Sequence, residues 1–376
     1  MKTTFFTLFL IVLSVGTGCK MNSDQDQKSL PVLDMEAAIG KQVPDTFTWN
    51  GIAKRITYVP ISTSADKLFG SAQPVYVDHT MYCAVDHKTG TVFRTDKKGK
   101  VISSFSRKGH GPGEYNVLTY VHVNQVDSTI EVFDQRGGRH IVYDLDGNLI
   151  REIFLKEKGL DTPILISDNY IVARGQNNTT HKLYIADKDF NIRKSLFPMD
   201  TTLTEMQRLN LTWQLNYCRN RDFAVINFAN EDTVFTVTES GAQPLCIFKK
   251  GVYNIPEEEL KNPTEASGFG SDYIRTMWLS SIPGYYLISY VRKDNFWDEI
   301  WRKSDNQIVS RFSNEDGEFG FPLRLPSGKK IRINARNLYI KGNLVVTSID
   351  AIVAVEGKIP DVDEDDNPVL VVMEIG

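Results

Sequence analysis

The chain has 376 residues, 41% of them hydrophobic and 11% aromatic, which is enough apolar material for a large core and excludes a generally disordered protein. Its 43 basic and 47 acidic residues leave a net charge of −4. That balance argues against a duplex nucleic-acid surface, which needs a concentrated basic stripe to neutralise phosphates.

The N-terminus carries one basic residue, Lys2, then an apolar run from Phe5 to Leu13, then Gly16, Thr17, Gly18 and Cys19. The run is too short to span a bilayer and reads as a secretory signal over residues 1–18. A cysteine directly after Gly16-Thr17-Gly18 resembles the lipobox of bacterial lipoproteins, although Gly16 stands where that motif usually has Leu or Val. In such proteins the thiol is diacylated and becomes the new N-terminus. Cys19 is therefore the expected lipidation site, and each buried methylene of such an anchor contributes roughly 0.8 kcal/mol without any spanning helix. Residues 19–45 are polar and poor in aromatics, the composition of a flexible tether. The remaining cysteines, Cys83, Cys218 and Cys246, each sit in an apolar run, as buried free thiols do, and no C-x-x-C spacing suggests a metal or redox site.

Past the tether, residues 52–59 form a strand-like run with no hairpin partner beside it. Six short apolar runs then recur at 80–86, 129–134, 169–174, 222–228, 285–291 and 343–349. A strand precedes the early ones, at 74–78, 121–124 and 164–168. A second hairpin follows each of the first five, at 92–102, 141–150, 183–192, 234–245 and 300–308. Two hairpins make four strands per unit, and no amphipathic helix of useful length lies between units, so the repeat predicts propeller blades rather than βαβ units. The fold class is thus all-β: a six-bladed β-propeller of four-stranded antiparallel blades over residues 46–376. The last unit is one strand short, which assigns 52–59 to the final blade, where it seals the ring and removes an exposed edge.

Residues 107–115 read RKGHGPGEY. Three glycines and a proline in five positions cannot continue a strand or a helix, so the chain turns sharply between the first two units. Two readings stand for this stretch. One is a structural crossing in which Glu114 pairs with a nearby arginine; the other is a ligand contact through Arg107 or His110.

With these motifs in view, the chain resembles the bacterial 6-bladed β-propeller lipoproteins, relatives of the NHL-repeat propellers of the cell envelope. The likeness rests on G-x-G-P-G-E-Y at 109–115, on Ile56-Thr-Tyr58-Val-Pro60-Ile61, and on Asp365-Asp-Asn367-Pro-Val-Leu370. It implies an envelope location, at the outer membrane or cell surface, and no settled chemistry.

Propeller strands alternate in direction, so the long crossings and central turns collect on one face, near the channel mouth, where a binding site is expected. The candidate ligand-binding residues there are Arg107, His110, Glu114, Arg136, Arg139 and Trp297, the last read as a turn residue suited to stacking on a sugar or peptide. No H-E-x-x-H, G-x-S-x-G, phosphate-binding loop or kinase set occurs. The expected function is a non-enzymatic binding module for a peptide, glycan or protein partner, attached to the membrane only through its lipid, with no nucleic acid and no cofactor. The alternative is a calcium-dependent lactonase-type hydrolase with a channel metal, for which Asp78, Asn124 and Asp168, ending first strands, would offer oxygens. The acidic run 361–366 and the Asp144–Asn148 turn are read as a solvated loop and a hairpin turn rather than as calcium sites.

Overall fold

The computed structural model describes residues 29–376 apart from 177–179, 214, 265–269 and 315–316; the signal segment and Cys19 lie outside the described residues. Five blades are consecutive four-stranded antiparallel sheets, beginning with the first strands Gln73–Val77, Tyr120–Asn124, Leu160–Ile166, Leu215–Arg219 and Arg275–Ile282. The sixth combines Tyr339–Lys341, Leu344–Ile349 and Val369–Ile375 with the N-terminal strand Ala53–Pro60. The six apolar runs of the sequence are the second strands of the six blades. Strands Thr129–Asp134 and Ala224–Phe228 are buried along their whole length, because an inner strand is covered on both faces by neighbouring blades.

A repeated turn makes the hairpins of blades 1 to 3. Asp96, Asp144 and Asp187 each accept, through one carboxylate oxygen, the backbone N–H groups two and four residues on, at 2.8 to 3.0 Å. These side chains do the work of a backbone turn, which is why the last two strands of each blade join through so few residues.

The ring closes as the strand count requires. Ala53–Pro60 pairs antiparallel with Val369–Ile375, from Ala53 opposite Ile375 to Pro60 opposite Val369. The end of the chain is further pinned by Asn367, 1% exposed, whose side chain accepts from Phe69 N at 2.7 Å and donates to Ser62 O at 2.9 Å and Lys67 O at 2.8 Å. The acidic run before it folds on itself, Asp363 N donating to Asp366 Oδ2 at 2.8 Å and Asp366 N to Asp363 O at 3.1 Å.

The tether expected to reach residue 45 ends sooner. Val32–Leu33 adds to the outer edge of blade 4 as a parallel fifth strand beside Ile247 and Phe248. The helix Met35–Ile39 follows, capped by Asp34, whose carboxylate accepts from Ala37 N at 2.9 Å. Leu33, Met35 and Ala38 are buried; three apolar side chains in six residues suffice to dock a segment that otherwise looks polar. The chain then runs along the outer strand of blade 5, where Pro44 O accepts from Arg311 N and Ser310 Oγ and Ala38 O from Arg311 Nη2. It enters the core of blades 5 and 6 at Phe47 and Trp49. The N-terminal segment is thus a belt across three blades.

Two crossings hold structure that the sequence reading left irregular: the helix Glu205–Trp213 and the hairpin Phe321–Arg324 with Lys330–Ile333. Phe321, Leu323 and Ile333 alternate onto the same core as Trp49. Among the described residues no helix is long and apolar enough to cross a membrane.

Lys250, at the end of the outer strand of blade 4, is 1% exposed. Its Nζ donates to Ala229 O at 2.7 Å and Glu231 O at 3.0 Å, and burial lowers its pKa from 10.5 to about 8.

Two measurements check this architecture. Asn367→Ala strands two carbonyls and an N–H at the closure and is expected to cost about 2–4 kcal/mol in equilibrium denaturation; a change below about 0.5 kcal/mol, the level of an ordinary surface substitution, would mean that Asn367 does not pin the ring. Because folded Lys250 holds its proton less tightly than the unfolded chain does, wild type should gain stability relative to Lys250→Met as pH rises from 8 towards 10.5, by at most about 3 kcal/mol. A pH-independent difference between the two would contradict the burial of a charged amine.

Candidate functional site

The first strands of neighbouring blades touch between blades 1 and 2, 3 and 4, 4 and 5, and 6 and 1, and together they wall an axial cavity of about 680 Å³, within the range of small-ligand pockets. Blades 1, 2, 4, 5 and 6 line it. Blade 3 meets it through Arg219, whose Nε donates to Ile164 O at 2.7 Å.

In blade 4 every residue from Leu215 to Arg221, the first strand and the start of the turn after it, borders the cavity. Blade 5 breaks its register between Arg275 and Met277, and the extra residue of such a bulge lets Arg275 and Trp278, three apart, both face the cavity with Ser280. Arg336 comes from a single 3₁₀ turn, Ala335–Asn337, before the first strand of blade 6; Asn334 caps that turn by accepting from Arg336 N at 3.0 Å. Among the described residues, four arginines and two histidines, His87 and His122, thus line the cavity, and no Asp or Glu does.

At the end where first strands turn into second strands, a polar chain joins four blades. Arg221 Nη2 donates to Asp168 Oδ2 at 2.6 Å, His122 Nε2 lies 2.8 Å from Asp168 Oδ1, and Asn124 Nδ2 donates to Asp168 O at 3.1 Å. Burial works against ionisation of Asp168, yet the His122 and Arg221 bonds outweigh it and hold the carboxyl below its ordinary value. Tyr76 Oη donates to Asp78 at 2.8 Å, and Gln125 reaches the same Tyr76 hydroxyl. Asp78 also accepts from Thr80 N and Met81 N at 2.6 and 2.8 Å; although burial opposes it, these donors keep the carboxyl well below its ordinary value.

These contacts bear on the metal alternative. Asp78 is occupied by its turn, Asn124 by Val126 N, Asp127 N and Asp168 O, and Asp168 by a histidine and an arginine. Among the described residues no group of three His, Cys, Asp or Glu is placed to hold a metal ion.

None of the six candidates named from sequence lines the cavity. The 107–115 stretch is a staple at the rim between blades 1 and 2. Gly109 N donates to Tyr115 O at 3.0 Å and Tyr115 N to Arg107 O at 2.9 Å; the buried Tyr115 hydroxyl donates to Gly90 O at 2.7 Å and accepts from Arg107 N at 2.9 Å. Arg107 Nε is bound to Gly147 O at 2.9 Å. Glu114 pairs not with an arginine but with Gly111 N, at 2.9 Å, because the tight turn folds its carboxylate back onto the loop. Arg139 bridges Asp134 and Glu152 at 3.4 and 2.9 Å and donates to Gly111 O at 3.2 Å, fastening the staple to blade 2. His110 and Arg136 are exposed.

Trp297 is not in a turn. It lies within the strand Asn295–Arg302, opposite Tyr290 and Ser313, and packs on the core of blades 4 and 5. The turn ahead of it is only Lys293-Asp294, both at positive φ, so Arg292 already pairs with Asn295 and the strand begins before Trp297. Trp301, Tyr286 and Tyr290, in the same two strands, are buried core. The residues missed were the channel arginines, and a signal for them existed: a charged side chain inside a first strand, as in Tyr217-Cys-Arg219-Asn-Arg221, has only the axis to point towards.

Sheet count, strand order and axial cavity define a six-bladed β-propeller with room for a ligand at its centre. The chain belongs to the family described as domain of unknown function DUF4934, whose profile matches residues 30–374. Among solved structures it is similar to a candidate exported protein of Bacteroides fragilis, with a TM-score of 0.66 and 14% identity over 92% of this chain and 99% of the other. It is also similar to a DUF4221 family member from Bacteroides vulgatus, with a TM-score of 0.48 and 11% identity over 86% and 96%. A third is virginiamycin B lyase from Staphylococcus aureus, with a TM-score of 0.42 and 10% identity over 85% and 99%. No curated protein matches the chain.

The staple separates structural from dispensable residues. Gly113 has φ +67°, and a Cβ there would sit 2.6 Å from Leu149 Cδ2, while its carbonyl accepts the Tyr143 hydroxyl at 2.7 Å. Gly113→Ala should cost about 1–3 kcal/mol in chemical denaturation and exposed His110→Ala under about 0.5 kcal/mol. The reverse order would show that the loop's fold does not rest on these contacts.

Proposed function

We propose that the protein is an exported binding module, anchored at the outer membrane or cell surface through Cys19, and that the molecule it captures enters the axial channel. The observation that carries this reading is the cavity itself: about 680 Å³ lined by side chains of five blades, whereas the loop residues that composition favoured are exposed and single or committed to holding blades together. A ring of fixed strands presents those side chains with little reorganisation on binding. Support for export comes from the signal-like segment before Cys19 and from the similarity to a candidate exported Bacteroides protein.

The test uses the full-length protein extracted in detergent from the envelope in which it is made. Native mass spectrometry should find one small molecule per chain, lost when the half-buried channel residue Asn216 is replaced by a bulky ring (Asn216→Trp) and kept in His110→Ala. In the same cells Cys19→Ser should leave the membrane fraction. Capture that survives Asn216→Trp but fails in His110→Ala would place the site on the rim loops instead, and a Cys19→Ser variant that stays with the membrane would exclude the lipid anchor.

A further inference from the structure

The chain is negative overall, at −4, yet its cavity is lined by Arg219, Arg221, Arg275 and Arg336 with no carboxylate among the lining residues. A low-dielectric channel with charges of one sign concentrates the opposite sign. Two of the four arginines are already committed. Arg221 is paired with Asp168 at 2.6 Å. Arg219 is bound to Ile164 O and, at 3.3 Å, to the Tyr217 hydroxyl, with its guanidinium carbon 4.1 Å from the Tyr120 ring centroid.

Arg275 and Arg336 differ. Among the described residues none accepts a hydrogen bond from the Arg275 side chain, and its Nη1 is buried without a partner. Burial alone, with no neighbouring carboxylate to offset it, lowers its affinity for its proton. Arg336 lies over Trp278, its guanidinium carbon 3.2 Å from that ring centroid and 5.2 Å from that of Phe296, and makes no side-chain hydrogen bond or ion pair among the described residues. The carboxylate whose charge reaches it, Asp298, is itself held by Ser289 Oγ and by Gly320 N, the latter at 2.7 Å. Stacking uses the face of a guanidinium and leaves its edge, where the N–H donors lie, for an in-plane oxyanion. Arg275 is partly buried and Arg336 exposed, so both keep guanidinium donors that an anion entering the cavity can reach, and the buried Arg275 Nη1 gains the partner that it lacks.

We propose that Arg275 and Arg336 form an oxyanion clamp, and that the channel ligand is a small organic anion whose carboxylate, sulfate or phosphate they hold while its carbon skeleton packs against Tyr339 and the other aromatic rings of the wall. Acidic sugars fit this chemistry, with ring faces for the aromatic side chains and one charged substituent for the clamp. The inference rests on the channel-binding reading and supplies its ligand class.

Isothermal titration of the detergent-solubilised full-length protein decides it, with digalacturonic acid, N-acetylglucosamine 6-sulfate and glucose 6-phosphate as the carboxylate, sulfate and phosphate arms, and with galactobiose, N-acetylglucosamine and glucose as their neutral counterparts. At least one anion should bind one per chain, more weakly as salt rises, and its neutral counterpart should not bind. Arg275→Gln and Arg336→Gln should each weaken that binding by about tenfold or more. Because an unpartnered cation is removed, the ligand-free melting temperature of Arg275→Gln should not fall; a marked fall would assign Arg275 a structural role instead. The clamp is overturned if none of the three anions binds, if a neutral counterpart binds as well as its anion, or if both glutamine variants bind as wild type does. Neutral binding abolished by Asn216→Trp would defeat the clamp and leave the channel reading intact, whereas capture only at the rim would defeat both.

Discussion

The molecule depends on one antiparallel pairing, that of Ala53–Pro60 with Val369–Ile375. A propeller blade is stable only when both its faces are covered, so an open ring would expose two blade faces as well as a sheet edge. Joining the two ends of the chain covers both faces and gives the last blade its fourth strand, which becomes the outer edge as in the other blades, and the loop that this pairing closes spans most of the sequence. Asn367 adds side-chain bonds to the same junction, and the belt from Val32 to Trp49 fastens blades 4, 5 and 6 before the closing strand begins.

With the ring held rigid, the axis can carry what a core cannot. Arginines from blades 4, 5 and 6 line one cavity about the axis. Where the sequence supplies a partner, as Asp168 does for Arg221, the charge is neutralised inside the wall. Where it does not, at partly buried Arg275 and exposed Arg336, the guanidinium keeps donors that no described side chain takes up. The buried Glu131, bonded to His140 and Lys188 at 3.0 and 2.7 Å, shows the contrasting case of a charge within a blade that is fully matched.

How much of this was legible in the sequence follows from the range of the forces involved. Second strands, hairpins and the missing strand of the last blade were legible because apolar runs and Asp-led turns are local signals, and strand arithmetic then fixed the closure. The docked belt was not, since Leu33, Met35 and Ala38 are too few to stand out in a polar segment until blade 4 offers them a surface. The site was the least legible part. Composition drew attention to glycine-rich and aromatic loops, but Tyr115, Arg139 and Trp297 serve packing, and what gathers Arg219, Arg275 and Trp278 is the radial arrangement together with a bulge in blade 5. Neither is visible at short range, although a charged residue inside an inner strand is a usable hint.

The parallel strand at Val32–Leu33 also shortens the leash. If lipid sits on Cys19, twelve residues separate the anchor from the first docked position, Val32, and a chain cannot reach beyond about 3.3–3.6 Å per residue, so the rim of blade 4 stays within roughly 45 Å of the bilayer surface. On that condition the line meets the body at the outer edge of blade 4, and neither mouth of the bore is its point of attachment.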